Sequence, residues 1–416
     1  MEQSSDSSEL TGAVSLSEGG ITSPLGFLAG AARAAIRKSP PDKLDLGLLY
    51  SLEPCTAAAL FTTNGVRAAP ILVSERHLAD GRARAVIVNS GCANASTGER
   101  GLADAKEMAR LAADKLSLTP EEVVVASTGV IGWFLPLDRI GPALAGLRPS
   151  REGGPDFARA IMTTDTVPKS VAATLSYDGR RYLVGGCAKG SGMIHPQVAT
   201  MLVFLTTDAP VQPDFLRDSL HRAADISFNM MTIDGDTSPN DMVLALANGA
   251  ASGPGDEAIG PGHRAAPLFQ AALTKVCTHL AREMARDGEG ASKLIEVRVE
   301  GAASEADARR VARAVAGSLL VKTAVHGCDP NWGRVLTAAG YSGAQVREET
   351  CQLHLQGVRV FAGGLPEPFD EAALRAALAN PEVTIHVDLG LGPGAATAWG
   401  CDLTADYVRI NAEYTT

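Results

Sequence analysis

Aromatic side chains are scarce in this 416-residue sequence, at 5%. Charge is modest, at 20%, and leans acidic, with 37 Lys and Arg against 47 Asp and Glu for a formal net charge of −10. A nucleic-acid groove or a polybasic membrane surface needs clustered Lys and Arg, so this balance argues against both. Small anionic substrates are not excluded, because one local Lys or Arg can hold a carboxylate. The seven cysteines (55, 92, 187, 277, 328, 351, 401) stand singly, with no CxxC pair and an odd count. That suits reduced thiols in a cytosolic enzyme better than a disulfide framework. No apolar stretch approaches the length of a membrane span. The opening, "MEQSSDSSEL", lacks the basic start and apolar core of a signal peptide. A cytoplasmic protein with a flexible acidic start over residues 1–20 is the expectation. No GxSxG elbow, Walker loop, GxGxxG unit after a strand, heptad or repeat array is present.

Hydrophobic residues make up 45% of the chain and Gly is plentiful, at 43. Such a chain folds around sizeable cores with close crossings. Buried strands are expected at 56–62, 70–74, 84–90, 121–128, near 170–176 and 181–186, and from Thr200 onward. Helical spacing marks 99–116, 213–227 and 264–286, and "PLDRIGPAL" and "PDFARAIM" read as short helices with Pro near their starts. The pattern restarts at 293 with the strand "KLIEVRVEG", a helix over 304–316, and a strand-helix-strand block over 351–390. Alternation of this kind predicts a layered α/β or α+β chain. The expected division is a core domain over 21–299 and a smaller C-terminal α/β domain over 300–416.

The candidate chemistry starts at "CAKGSGMIHPQVATMLVFLTTDA", residues 187–209. Glycines 190 and 192 feed a loop that runs through Ala199-Thr200 into an apolar run. Thr200 reads as an ordinary strand-start threonine or as a nucleophile. A threonine hydroxyl needs a base to take its proton. The simplest base is its own α-amine, at about pKa 7.7–8.0, which exists only if the bond before it is cut. In "ASTGVIG", Thr128 and Gly129 can offer a hydroxyl and a bare N–H to one oxyanion, or can simply be a strand end. Lys189 can hold a substrate carboxylate or be a solvated surface lysine. Glu289, between two glycines in "RDGEGASK", can bind an ammonium or belong to a turn. His326, Cys328 and Asp329 lack a second ligand pair at metal-site spacing, so "DPNW" reads as a helix cap before Trp332 and no metal site is expected. Cys187 reads as a small packed residue.

Taken together, the blocks "VNSGCANASTG", "ASTGVIG", "IMTTDT", "AKGSGMIHPQVATML", "TIDGDTSPND", "DGEGASKLIEV", "VKTAVHGCDPNWGR" and "WGCDLTADYVRINAEYTT" resemble one family across nearly the whole chain. It is the ornithine acetyltransferases, or glutamate N-acetyltransferases, of the cyclic arginine pathway. The resemblance implies a self-cleaving αββα sandwich of the N-terminal-nucleophile kind. Cleavage between Ala199 and Thr200 would give chains 1–199 and 200–416. Thr200 would be the nucleophile, with Thr128 and Gly129 as oxyanion donors. Thr163, Lys189, Thr200, Glu289, Asn411 and Thr416 would bind substrate. The implied reaction moves the acetyl group from N2-acetyl-L-ornithine to L-glutamate through an acetyl-threonine ester. No cofactor is implied, with acetyl-CoA open as a second donor, and the implied assembly is a heterotetramer of two of each chain. Gln197 and Val198 depart from the family's pattern, which has Asn and often Met there. Two other readings stand beside this one: a self-cleaving aminopeptidase or amidase with water as acceptor, and an uncleaved relative acting as a binding subunit.

Overall fold

The computed structural model describes residues 14–37, 42–195 and 201–413. Nine strands form a large sheet: β1 (Val14–Ser17), β2 (Phe27–Ala32), β3 (Leu46–Phe61), β4 (Arg82–Cys92), β5 (Val123–Val130), β6 (Lys169–Tyr177), β7 (Arg180–Lys189), β8 (Leu202–Thr207) and β9 (Met242–Ala247). Its order is β1-β6-β7-β8-β9-β3-β4-β5, with β2 on β3. The long strand β3 joins two halves. Residues 46–51 pair with β2, residues 56–61 pair with β9, and the register to β4 shifts between Tyr50 and Cys55.

The pairs β4–β5 and β8–β9 are parallel. Parallel strands are buried on both faces, which is why these segments are apolar without alternation. Each face of each pair enters a different core. Val86, Val88, Val124 and Ala126 share one core with Leu202, Phe204, Leu244 and Leu246, so the two halves of the sheet face each other. Phe204 meets Phe157 edge-on there at 5.4 Å, and truncating a buried ring of this kind costs about 3–5 kcal/mol. The opposite faces take helices. Val203, Leu205 and Val243 pack with the helices Pro213–Asp225 and Ala266–Arg286, and Ile87, Val123 and Val125 pack with the helix Gly98–Leu116. The layers therefore run helix, sheet, sheet, helix.

A second sheet holds β10 (Leu294–Ala302), β11 (Gln352–Leu355), β12 (Val358–Ala362), β13 (Leu365–Pro366), β14 (Glu382–Asp388) and β15 (Gly394–Cys401), in the order β13-β12-β11-β14-β10-β15. The helix Glu305–Gly317 covers it, started by the Ser304 hydroxyl accepting from the Asp307 N–H. Its buried face belongs to the same core as the helix Ala266–Arg286, so the smaller unit packs directly on the larger.

The segment 70–74 is not a strand. It lies in the helix Ala69–His77, which buries Ile71 and Val73 and has Pro70 in its first turn. A short apolar run suits a strand or a buried helix equally, and Pro at a helix start decides for the helix. The boundary expected at 299/300 falls inside β10, because the second sheet starts at Leu294. Strand β9 and the last helix, Ala405–Glu413, are absent from the elements expected above. Among the described residues no helix is long and apolar enough to cross a membrane.

Candidate active site

The ends of β4 and β5 make the first wall. Gly129 holds φ +129°, and a Cβ there would lie 2.4 Å from the Gly91 carbonyl carbon. Only glycine allows the two strand ends to meet this closely. The neighbouring Thr128 is buried at 6% exposure. Behind them, the Asn240 side-chain amide donates to the carbonyls of Ala93 and Ser127 at 2.7 and 2.9 Å and ties both strand ends to the loop before β9.

The second wall is a buried charge cluster at the end of β7. Lys189 is 3% exposed, not a solvated surface lysine. Its Nζ donates to the Thr163 hydroxyl at 2.8 Å and lies 3.9 Å from Asp165 Oδ2. Asp165 also accepts from the N–H groups of Thr163 and Gly190 at 3.1 and 2.7 Å, and from Lys169 Nζ at 2.8 Å. Lys169 reaches on to Asp287 at 2.6 Å. Two carboxylates and two ammoniums thus offset each other, the arrangement that makes buried charge tolerable. Burial alone would push the Asp165 carboxyl up, but Lys189, Lys169 and the Gly190 N–H hold it at about 2. Burial shifts Lys189 downward, and Asp165 opposes that shift. Thr164, beside Thr163, bonds the Ser191 hydroxyl at 2.8 Å.

Glu289 and Asn411 make the third wall. The Glu289 N–H donates to the Ser191 carbonyl at 2.7 Å, and the Asn411 side-chain amide donates to Glu289 Oε2 at 2.8 Å. Gly192 makes room for this carboxylate, since a Cβ there would sit 2.5 Å from Glu289 Oε2. Gly290, at φ +66°, lets the last helix lie down: a Cβ would meet the Tyr407 nitrogen at 2.5 Å. The Thr404 hydroxyl donates to the Gly290 carbonyl at 2.7 Å and pins the start of that helix.

The loop 234–241 closes the site. Asp234 accepts from the N–H groups of Met193 and Ile194 at 2.6 and 2.8 Å and receives the Tyr407 hydroxyl at 3.3 Å. Asp241, fully buried, accepts from the Met201 N–H at 2.8 Å. Ala199, Thr200 and Thr416 lie outside the described residues, as do Gln197 and Val198.

One cavity of about 130 Å³ is lined by Thr128, Gly129, Thr163, Lys189, Glu289 and Asn411, all named from the sequence. Asp234, Asp236, Ser238, Asn240 and Tyr407 line it too, without having been singled out. The signal for the first four was the polar, turn-rich "TIDGDTSPND" between a helix and a strand, since loops at strand ends carry function, while Tyr407 lies in the C-terminal block "WGCDLTADYVRINAEYTT". The cavity presents a buried ammonium beside a hydroxyl on one side and carboxylates on another. These opposite charges suit a small zwitterion, and the Thr128 and Gly129 strand end lines the same space.

His326, Cys328 and Asp329 are elsewhere. His326 Nδ1 bonds Asp402 at 2.9 Å, Lys293 Nζ meets Cys328 Sγ at 3.0 Å, and the Asn331 side chain caps the helix Trp332–Gly340. Among the described residues no group of three or more His, Cys, Asp or Glu could hold a metal. Cys187 is fully buried in the core.

A profile of the ArgJ family matches residues 28–416. The arginine biosynthesis bifunctional protein ArgJ of Dehalococcoides mccartyi is 52% identical over 401 residues, covering 96% of this chain and 98% of that protein. The protein of the same name from Symbiobacterium thermophilum is 54% identical over 400 residues, covering 96% and 99%. A crystal structure of ArgJ from Bacillus halodurans is 46% identical, spans 51% of this chain and 98% of its own, and superposes with a TM-score of 0.49.

Proposed function

This chain belongs to the ArgJ family, and on that premise we propose that it is a glutamate N-acetyltransferase of arginine biosynthesis, moving the acetyl group of N2-acetyl-L-ornithine to L-glutamate. The observation that carries the site assignment is the cavity shared by Thr128, Gly129, Thr163, Lys189, Glu289 and Asn411, contributed by segments from residue 128 to residue 411.

The chain is cut between Ala199 and Thr200. The new α-amine takes the proton of the Thr200 hydroxyl, which attacks the acetyl carbonyl of N-acetylornithine. The Thr128 hydroxyl and the Gly129 N–H receive the oxyanion, a contribution of about 10²–10³ in rate for one such donor. The amine of ornithine leaves with a proton. Glutamate then enters, its α-amine attacks the acetyl-threonine ester, and N-acetylglutamate leaves.

Donor and acceptor share an α-carboxylate and an α-nitrogen, so one set of contacts serves both half-reactions. Lys189 and Thr163 receive the carboxylate, and Glu289, steadied by Asn411, receives the nitrogen end. The family resemblance assigns Thr416, outside the described residues, to substrate binding as well. A metal or organic cofactor has no role in this reaction, and acetyl-CoA would be a second acetyl donor. The two processed chains stay together as a heterotetramer of two of each, in the cytoplasm. Water as acceptor, the aminopeptidase reading, is not favoured, because the family match runs through the C-terminal blocks to residue 416.

Two measurements test this. Intact mass under denaturing conditions should show two fragments meeting between Ala199 and Thr200, and Thr200→Ala should give one uncut chain. The purified protein should release ornithine from N-acetylornithine only when glutamate is present. Release at the same rate without glutamate makes it a hydrolase, and a single full-length, inactive species makes it the binding subunit.

A further inference from the structure

The glycine loop that leaves β7 is held at both ends. At one end the Gly190 N–H donates to Asp165 Oδ1 at 2.7 Å. At the other, the N–H groups of Met193 and Ile194 donate to Asp234 Oδ2 and Oδ1 at 2.6 and 2.8 Å, and the Ile194 carbonyl accepts from the Ile233 N–H at 2.9 Å. Between the two ends the loop touches Glu289. The Ser191 carbonyl accepts from the Glu289 N–H at 2.7 Å, and Gly192 lies so close that a Cβ would sit 2.5 Å from the Glu289 carboxylate. The place of Glu289 in the cavity therefore depends on where this loop lies.

Met193 stands in the left-handed region, at φ +56°, although it carries a side chain. Such a conformation is strained and persists only where the surroundings over-determine it. Asp234 supplies that constraint, through the N–H of Met193 itself and of the next residue. Asp234 is in turn held from the last helix. The Tyr407 hydroxyl donates to its Oδ2 at 3.3 Å, and the Asp236 N–H donates to its Oδ1 at 3.3 Å. Burial and the Asp234 charge raise the Tyr407 hydroxyl, so it keeps its proton and donates. Tyr407 and Asn411 are four apart on one helix face, and Asn411 donates to Glu289. That helix buries none of its residues fully, so polar contacts of this kind tie it to the loop.

We propose that Asp234 is a positioning residue for substrate recognition, holding the strained turn at Met193 that seats Gly192 against Glu289, with Tyr407 holding Asp234 in place. This rests on the reading that the cavity is the acetyl-transfer site. Asp234 lines that cavity, but it is not free to take a substrate ammonium. A carboxylate offers about four lone-pair positions. Each oxygen of Asp234 already accepts two hydrogen bonds from the protein. Its effect on substrate therefore passes through the loop to Glu289, which receives the nitrogen end of both donor and acceptor.

The test is Asp234→Asn. Asparagine keeps the shape but turns one acceptor oxygen into an NH₂ donor, which faces a backbone N–H, so one of the two loop bonds is lost whichever way the amide sits. KM for N-acetylornithine and KM for glutamate should rise together by about tenfold, with kcat little changed. A merely structural role would lower the amount of folded enzyme, which scales kcat and leaves KM alone, and that result would overturn the inference. Tyr407→Phe is the milder variant. It keeps the ring, removes the hydroxyl, and should raise both KM values by about 2- to 10-fold, but add nothing further in the Asp234→Asn background. Additive losses would mean that Tyr407 acts on substrate without Asp234 and would overturn the relay. If Asp234→Asn does not fold, Tyr407→Phe decides alone, and unchanged KM values sink the inference. Wild-type protein that releases no ornithine from N-acetylornithine in the presence of glutamate would instead sink the functional reading itself.

Discussion

Lys189 Nζ and the Thr163 hydroxyl are joined by a 2.8 Å hydrogen bond between the end of β7 and a loop 26 residues upstream, both facing the cavity. A buried ammonium beside a hydroxyl is a socket for one carboxylate. Lys189→Met should therefore raise KM for N-acetylornithine and for glutamate together, lowering kcat/KM by about 10²-fold, in line with loss of a charge-assisted contact of 1.5–3 kcal/mol. Steady-state kinetics with each substrate varied in turn checks this. A change confined to one substrate would mean that the two do not share the socket.

Gly129→Ala attacks the oxyanion wall. The added Cβ would meet backbone atoms of Gly91 and Cys92 at 2.4–2.6 Å, at a φ of +129° that side chains avoid. The strand ends must part. The expected loss is in kcat, by about 10²-fold or more, with KM moved much less. Thr128→Val, which keeps the shape and removes the hydroxyl, should give a similar kcat loss without the fall in Tm. Equal losses in Tm for both would point to a packing role alone.

Gly192→Ala acts on Glu289 without touching its charge. The new methyl would overlap the Glu289 carboxylate, a flexible group that can swing away and lose its bond from Asn411. KM should rise about tenfold with Tm held within a few degrees, and Glu289→Gln should raise KM at least as much. Unchanged KM in both variants would remove Glu289 from substrate binding.

Acid should loosen the site before it unfolds the rest. The Asp165 carboxyl sits at about 2 against an ordinary 3.8. A carboxyl lowered in the folded state contributes stability that is fully present above its unfolded value, and that contribution is lost as pH falls through its folded value. The Asp165 contribution is thus intact above pH 4 and fades between pH 4 and 2. Asp165→Asn leaves Lys169 and Lys189 short of a counter-charge and should cost about 3–5 kcal/mol at pH 7. Urea midpoints of the two proteins should converge as pH approaches 2. A gap that stays constant with pH would mean that Asp165 acts by packing rather than charge.

The residues that carry local signals were legible in the chain: the strand ending in Thr128-Gly129, the glycines around Glu289, and the capped helix at Trp332. Each was weak alone, and the ordered blocks gave them meaning together. Periodicity also marked β4, β5, β7 and the long helix over 266–286, because amphipathic spacing and buried apolar runs are local properties. It failed at 70–74, where a short apolar run is compatible with either state and Pro70 settles it as a helix.

What the sequence determined by itself is the family, the layered α/β class and the residue types able to do acyl transfer, since all of these are written in local order along the chain. Only the tertiary structure decided which groups meet. Lys169 finds Asp287 across 118 residues, Asn411 finds Glu289 across 122, and Asp241, in the loop before β9, reaches the Met201 N–H at the start of β8. Charge pairing and burial depend on distances in space, and sequence separation carries no information about those until the sheets have closed.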